Sequence, residues 1–226
     1  MSREPIVLSW SGGKDSALAL AALRADPAID VVALLTSVTH AYDRVSIHGV
    51  RRALLRAQAE SLRLPLHEIV LQPQCSNEAY DAAVAGALAD LRARYPGVRR
   101  VAYGDLFLED VRRYREERIT PLGFEGLFPL WGEPTERLAR DFVGRGFEAR
   151  LVCVDTTQID GGFAGATFDH DFLDALPTSA DPCGERGEFH TFVSYGPGWS
   201  QRIAYDVGEK VLRDERFMYC DLVPKG

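Results

Sequence analysis

One short segment constrains this chain more than any other. Ser9-Trp10-Ser11-Gly12-Gly13-Lys14-Asp15-Ser16 stands between an apolar run, Ile6-Val7-Leu8-Ser9, and a stretch from Lys14 to Arg24 with apolar residues at helical spacing. A buried strand that turns through two glycines directly into a helix is the opening unit of a parallel α/β sheet. The turn also has a chemical consequence. A helix N-terminus presents unpaired N–H groups and about half a positive charge. Gly12 and Gly13 let the backbone come close to an anion, Ser11 and Ser16 offer hydroxyls, and Lys14 adds a point charge, so the segment reads as a phosphate cradle. It is neither the GxxxxGK[ST] of a Walker A loop nor the GxGxxG of a dinucleotide fold. Lysine is scarce here: of 26 basic residues only Lys14, Lys210 and Lys225 are lysine, and Lys14 alone falls in a motif. Asp15 is the anomaly, since a carboxylate repels phosphate. It caps the helix, holds Mg²⁺ or orients Lys14.

The pattern that follows repeats strand and helix. Asp30–Ser37 is a continuous apolar run of the kind covered on both faces. Val50–Leu62 is an amphipathic helix, Leu66–Leu71 a strand, Asn77–Arg94 an Ala-rich helix stopped by Pro96-Gly97, and Arg100–Tyr103 a fourth strand ending at Gly104-Asp105. This alternation predicts a parallel, Rossmann-like α/β sheet sandwiched by helices, with right-handed crossovers. Beyond a charged helix at Leu108–Arg118 the rhythm changes. Gly123–Gly132 is punctuated by Gly and Pro. Helices are expected at Glu133–Val143 and Asp169–Leu176, and strands at Ala149–Asp155, His190–Tyr195, Arg202–Tyr205 and Phe217–Leu222. The expected division is residues 1–125 for the phosphate-loop domain and 126–226 for a smaller α+β domain.

Several downstream residues carry chemistry. Ligands in open α/β sheets bind beyond the carboxyl ends of strands, at the point where strand order reverses. Gly104 and Asp105 sit at such an end, with Asp105 a second candidate Mg²⁺ ligand beside Asp15. Ser37 closes the second strand, where edge backbone groups can hydrogen-bond a ligand. His48 opens a helix and either contacts phosphate or substrate or is a polar loop residue. The densest segment is Cys183-Gly184-Glu185-Arg186-Gly187-Glu188-Phe189-His190-Thr191. There Glu185 and Glu188 are candidates for a general base, and His190 for proton transfer near neutral pH. Cys183 has no partner spacing that would lower its pKa and reads as a buried thiol. Trp131, in Pro129-Leu130-Trp131-Gly132, reads as an apolar wall. The arginines Arg112, Arg113, Arg115 and Arg118 read first as a solvated helix face with i,i+4 partners, and second as an anion-binding surface.

Composition narrows the class. The net charge is −7, which argues against non-specific nucleic-acid binding while leaving room for a local basic site. Four scattered cysteines lack any CxxC pair, and no apolar run is long enough to cross a bilayer. Reduced thiols and a cytoplasmic location are the default.

The loop SGGKDS after the first strand resembles the PP-loop of the ATP pyrophosphatases (adenine-nucleotide alpha-hydrolase-like), whose sheet is of the HUP type. Together with His48-Gly49-Val50-Arg51, Tyr103-Gly104-Asp105-Leu106, PLWG at 129–132 and CGExGEFHT at 183–191, it is similar to the diphthine–ammonia ligase family. The resemblance covers residues 5–197 and implies ATP and Mg²⁺ as cofactors. It implies adenylation of a carboxylate with release of pyrophosphate, then displacement of AMP by ammonia or another amine. Residues Ser9, Ser11, Gly12, Gly13, Lys14, Asp15, Ser16, Ser37, His48, Gly104 and Asp105 would bind the nucleotide. Lys14, Glu185, Glu188 and His190 would carry the chemistry. The expected partners are ammonium and a carboxylate acceptor, small or protein-borne, with no membrane, and a homodimer is left open. Two other readings stand beside it: an ATP- or AMP-binding protein without ligase activity, and a PP-loop enzyme that modifies RNA. The orientation of Glu185 and Glu188 relative to the nucleotide discriminates the ligase from the binding protein.

Overall fold

The computed structural model describes residues 3–39, 44, 45, 49–73 and 75–225. The first half runs β1 (Glu4–Ser9), α1 (Lys14–Ala25), β2 (Ile29–Thr39), β3 (Arg44–Val45), α2 (Arg52–Leu62), β4 (Leu66–Leu71), α3 (Asn77–Arg94), β5 (Arg100–Ala102), α4 (Glu109–Ile119) and β6 (Glu125–Leu127). Five strands lie parallel in the order β4-β2-β1-β5-β6, and β3 adds a short antiparallel pairing to the end of β2.

The period-two geometry of a strand explains why β1 is apolar throughout. Ile6 and Leu8 enter one core with Leu18 of α1 and Leu54 of α2, while Val7, between them, enters a second core with Val84 and Leu88 of α3. Both faces are therefore covered. From β1 the chain builds outward through β2 to β4, then returns to place β5 and β6 on the other side of β1. The crevice between the carboxyl ends of β1 and β5 is the topological switch point.

The second half comprises α5 (Thr135–Gly144), β7 (Glu148–Asp155), α6 (His170–Ala175), β8 (Phe189–Tyr195), β9 (Tyr205–Arg213) and β10 (Phe217–Pro224). Its strands form an antiparallel sheet in the order β8-β7-β10-β9. Aromatic packing fills its interior: Phe142 stacks on Phe147 at 4.8 Å, and Phe168 and Phe172 lie edge-on or tilted against their neighbours. This interior is continuous with the core beneath α1 and α2, so the two sheets share apolar packing.

The α/β sandwich with a smaller antiparallel unit is the architecture that the residue pattern predicts. Three strands depart from it, the two-residue β3 being one. β6 lies in the Gly/Pro-punctuated stretch, where three residues around Gly126 show no period, and the division at residues 125 and 126 passes through it. The strand expected at Arg202–Tyr205 instead starts at Tyr205 and runs to Arg213, a charged and largely exposed edge that conceals the alternation. Among the described residues no helix is long and apolar enough to cross a membrane.

Candidate functional site

The loop between β1 and α1 is held from two sides. Gln58 of α2 is fully buried and uses its whole amide: Nε2 donates to the Gly12 carbonyl at 2.9 Å and the Val193 carbonyl at 2.6 Å, and Oε1 accepts from Trp10 Nε1 at 2.8 Å. From β8, the Val193 amide donates to the same Gly12 carbonyl at 2.9 Å, and Thr191 Oγ1 accepts from the Lys14 amide at 3.0 Å. Gly12 has φ of 80°, and a Cβ there would lie 2.6 Å from Leu55 Cδ2 and 2.7 Å from Gln58 Oε1. Only glycine fits between the loop and this support.

These bonds revise the expected donors of the cradle. The Lys14 amide is taken by Thr191, the Gly13 amide donates to Ser11 Oγ at 3.3 Å, and Ser16 Oγ donates to the Gly13 carbonyl at 2.8 Å. Ser11 Oγ donates to Ser16 Oγ at 3.3 Å. The hydroxyls thus shape the loop itself. Lys14 is buried, with Nζ donating to both Asp15 carboxylate oxygens at 2.7 and 2.8 Å. Burial opposes its charge, but Asp15 and, more weakly, Cys183 and Glu185 outweigh that and hold its pKa above the usual lysine value. Asp15 thus orients Lys14, one of its three readings.

The turn after β5 crosses the first turn of α1. A Cβ on Gly104 would lie 2.8 Å from the Asp15 carbonyl carbon, so glycine permits this crossing. Asp105 then meets Arg115 of α4, whose Nε and Nη2 donate to its two oxygens at 2.5 and 2.9 Å. The Arg115 guanidinium also lies 4.6 Å over the Tyr103 ring. Arg112 does make the expected i,i+4 pair with Glu116, and its guanidinium packs on the Phe128 and Trp131 rings. Trp131 is accordingly a wall, as read from the sequence.

The segment 181–191 separates the three residues grouped there. Asp181 and Glu188 brace the loop from within. Asp181 Oδ1 accepts from the Cys183 amide at 2.8 Å; Glu188 is buried and accepts from the Asp181 and Arg186 amides at 2.7 and 3.0 Å. Glu188, expected at the chemistry, instead spends both oxygens inside the loop. Glu185 reaches the turn after β5, where its Oε1 accepts from the Leu106 amide at 2.8 Å. Burial pushes its pKa up to about 7; the Leu106 amide resists this and the nearby Asp15 adds to it. His190 goes the other way: burial, reinforced by Lys14, takes its pKa down to about 4, so the ring is neutral at physiological pH. That revises its expected proton-transfer role, since a base of pKa about 4 is weak at neutrality. Burial drives the Cys183 thiol up to about 12, against the pull of Lys14, and Sγ donates to the Thr135 carbonyl at 3.3 Å. It is a structural thiol.

Two adjoining cavities result. One, of about 250 Å³, lies over the ends of β1, β2 and β4 and is bounded by Leu35, Ser37, Ile69, Leu71, Tyr80 and Val84. The other, of about 320 Å³, is the cleft at the switch point, where Lys14, Asp15, Asp105, Arg115, Glu185 and His190 meet. Ser9, Ser11, Tyr103 and Arg115 border both. His48 lies outside the described residues. Among those described, no group of three or more His, Cys, Asp and Glu side chains could hold a metal. A Mg²⁺ ion carried on phosphates needs only one or two carboxylates, and Asp15 and Asp105 suit that sparse set, each paired here with a cation.

Sequence reasoning passed over Gln58 as a site residue and placed Arg115 first on a solvated helix face. Gln58 had a visible signal, a lone amide on the apolar face that Leu54, Leu55, Ala59 and Leu62 define. Arg115 had only a shared one, since its second reading as an anion-binding residue applied equally to the other arginines of a charged helix.

A doubly wound sheet with a glycine–lysine loop at its switch point, closed over by an antiparallel unit, defines the class of protein. Comparison with family models is specific within that class. Residues 4–124 match the diphthamide synthase N-terminal domain and residues 134–222 the diphthamide synthase C-terminal domain. The chain belongs to this family, that of the diphthine–ammonia ligases in the PP-loop superfamily. No curated protein matches the chain.

Proposed function

We propose that this protein is an ATP-dependent, AMP-forming ligase that joins ammonia or an amine to a substrate carboxylate. The observation that supports it most is the convergence of Lys14 and Glu185 on one cleft that opens into an apolar cavity. The adenosine of ATP would lie against Ser37 and the β2 edge, with its phosphates over residues 9–16. Mg²⁺, held on the phosphates by Asp15 and Asp105, would offset their charge. The acceptor carboxylate attacks the α-phosphorus and pyrophosphate leaves. The amine then attacks the acyl carbon, and AMP leaves with the carboxylate oxygen it captured. Lys14 stabilises the charge that develops on the α-phosphoryl oxygens. Glu185 takes a proton from the ammonium or from the attacking nitrogen, a task suited to a carboxyl of pKa about 7. His190, neutral, offers a hydrogen bond without a charge.

The family supports a protein-borne carboxylate as the acceptor. The test is AMP and pyrophosphate production from ATP, Mg²⁺ and ammonium with candidate acceptors, comparing wild type with Lys14→Ala. Production should stop in the variant while its thermal unfolding stays cooperative. Full activity in Lys14→Ala would overturn the reading.

A further inference from the structure

Arg115 is the second cation of the cleft. With His190 neutral, Lys14 and Arg115 are the positive side chains lining it, and Arg115 is the charged group that borders both cavities. It comes from α4, outside every glycine-rich loop, and Tyr103 and Asp105 hold it in place. Its side chain is 31% exposed and that of Asp105 14%, so the pair is shielded while the guanidinium keeps an open side. Arginine has five donors in a planar fork. Asp105 uses two of the nitrogens, which leaves N–H groups for an anion in the cleft.

We infer that Arg115 is a phosphate-binding, specificity-determining residue whose charge Asp105 holds in reserve, and that the guanidinium shifts its bonds from Asp105 to a phosphate when nucleotide enters. The inference rests on the proposed ATP reading. The arrangement parallels the one at Lys14, where Asp15 occupies the ammonium in the same way. A cation already desolvated and oriented by a carboxylate gives up one charge-assisted partner and gains another, so phosphate binding does not require burying a new charge. The arginine between the cavities then favours ligands that carry phosphates over the nucleoside alone.

The test is calorimetric titration of the full chain with metal-free ATP, adenosine and pyrophosphate, each in EDTA. Three variants are compared: Arg115→Met, Asp105→Asn and the charge-neutral double variant Arg115→Met/Asp105→Asn. The double variant leaves no unpaired carboxylate and keeps the reading independent of misfolding. Loss of the guanidinium should weaken ATP and pyrophosphate by about 10- to 100-fold in Arg115→Met and in the double variant, leaving adenosine within about twofold. Asp105→Asn should bind metal-free ATP as tightly as wild type or tighter. If the pair served only to brace α4, Asp105→Asn and Arg115→Met would lose affinity together for all three ligands. That outcome, or wild-type ATP affinity in the double variant, would overturn the inference. Failure of wild type itself to bind ATP would instead overturn the ATP reading.

Discussion

Replacing Gln58 by Glu exposes how the phosphate loop is supported. The side chain is fully buried and faces two carbonyl oxygens, of Gly12 and Val193, and one indole donor, of Trp10. A protonated Glu keeps the indole bond and one of the carbonyl bonds, so below the usual carboxyl pKa the variant loses about 1 kcal/mol. An ionised Glu has no proton to donate and would point an anion at two carbonyls. The folded-state pKa must therefore rise above the unfolded value of about 4.3. A raised folded pKa fixes the sign: the stability is present at low pH and is lost as pH climbs, because only the unfolded chain ionises freely. The loss is about 1.4 kcal/mol per pH unit, or roughly 3 kcal/mol between about pH 5 and about pH 7.5. Urea unfolding of wild type and Gln58→Glu at both pH values measures it as a difference of differences. The nucleotide affinity of the variant should follow the same slope, since the loop hangs on this amide. An equal stability deficit at the two pH values would refute the buried, carbonyl-facing position of Gln58.

Two further outcomes follow from the braced loop at 181–188. Cys183, with its thiol pushed up to about 12, should resist alkylation at about pH 8 in the folded protein, read by mass spectrometry. Cys183→Ala should keep ligase activity at a stability cost of about 1–2 kcal/mol. Glu188→Gln puts an amide nitrogen against one of two backbone donors, and should lower stability by about 1–3 kcal/mol by calorimetry while leaving the shape of the pH–rate profile unchanged.

The sheet was legible because each strand–helix pair in the first half buries both faces and so leaves a plain apolar record, and because Gly12-Gly13-Lys14 marks one turn by chemistry as well as geometry. β6 and β9 left weaker records, one too short to show a period and the other an exposed edge. The site divided along a different line. Lys14, Asp15 and Glu185 were visible as residue types at a strand end or in a glycine-rich turn. What could not be read was how each polar group is satisfied. Glu185 and Glu188 are equivalent in sequence and differ in the structure, one lining the cleft and the other accepting from two backbone amides within its own loop. His190 looked like a proton carrier by its reference pKa, whereas burial beside Lys14 favours the neutral ring. Arg115 was hidden among arginines because pairing with Asp105 depends on how α4 crosses the end of β5.

The charge balance of the cleft ties Glu185 to the order of the reaction. Lys14 and Arg115 face Asp15, Asp105 and Glu185, two cations against three acids, so with Glu185 ionised the cleft is negative and poorly suited to a polyanion. Protonation of Glu185, near pH 7, removes that excess. On the proposed ATP reading, bound triphosphate would raise the Glu185 pKa further, and ATP binding would take up a proton. A further rise of one unit at about pH 7 corresponds to roughly 0.4 proton per ATP. In the proposed reaction the same coupling would reverse on pyrophosphate release: the negative charge would fall, Glu185 would lose its proton, and a base would appear when the amine needs one. Calorimetric titration of ATP with Mg²⁺ in two buffers of different ionisation enthalpy reads the uptake directly. Wild type should take up the proton and Glu185→Gln should not, and the variant should also lose the pH-dependent limb near 7 from the amine-transfer rate while still forming pyrophosphate. Equal proton uptake in the two proteins would break the link between this carboxyl and the phosphates, and with it the account of when the base is made.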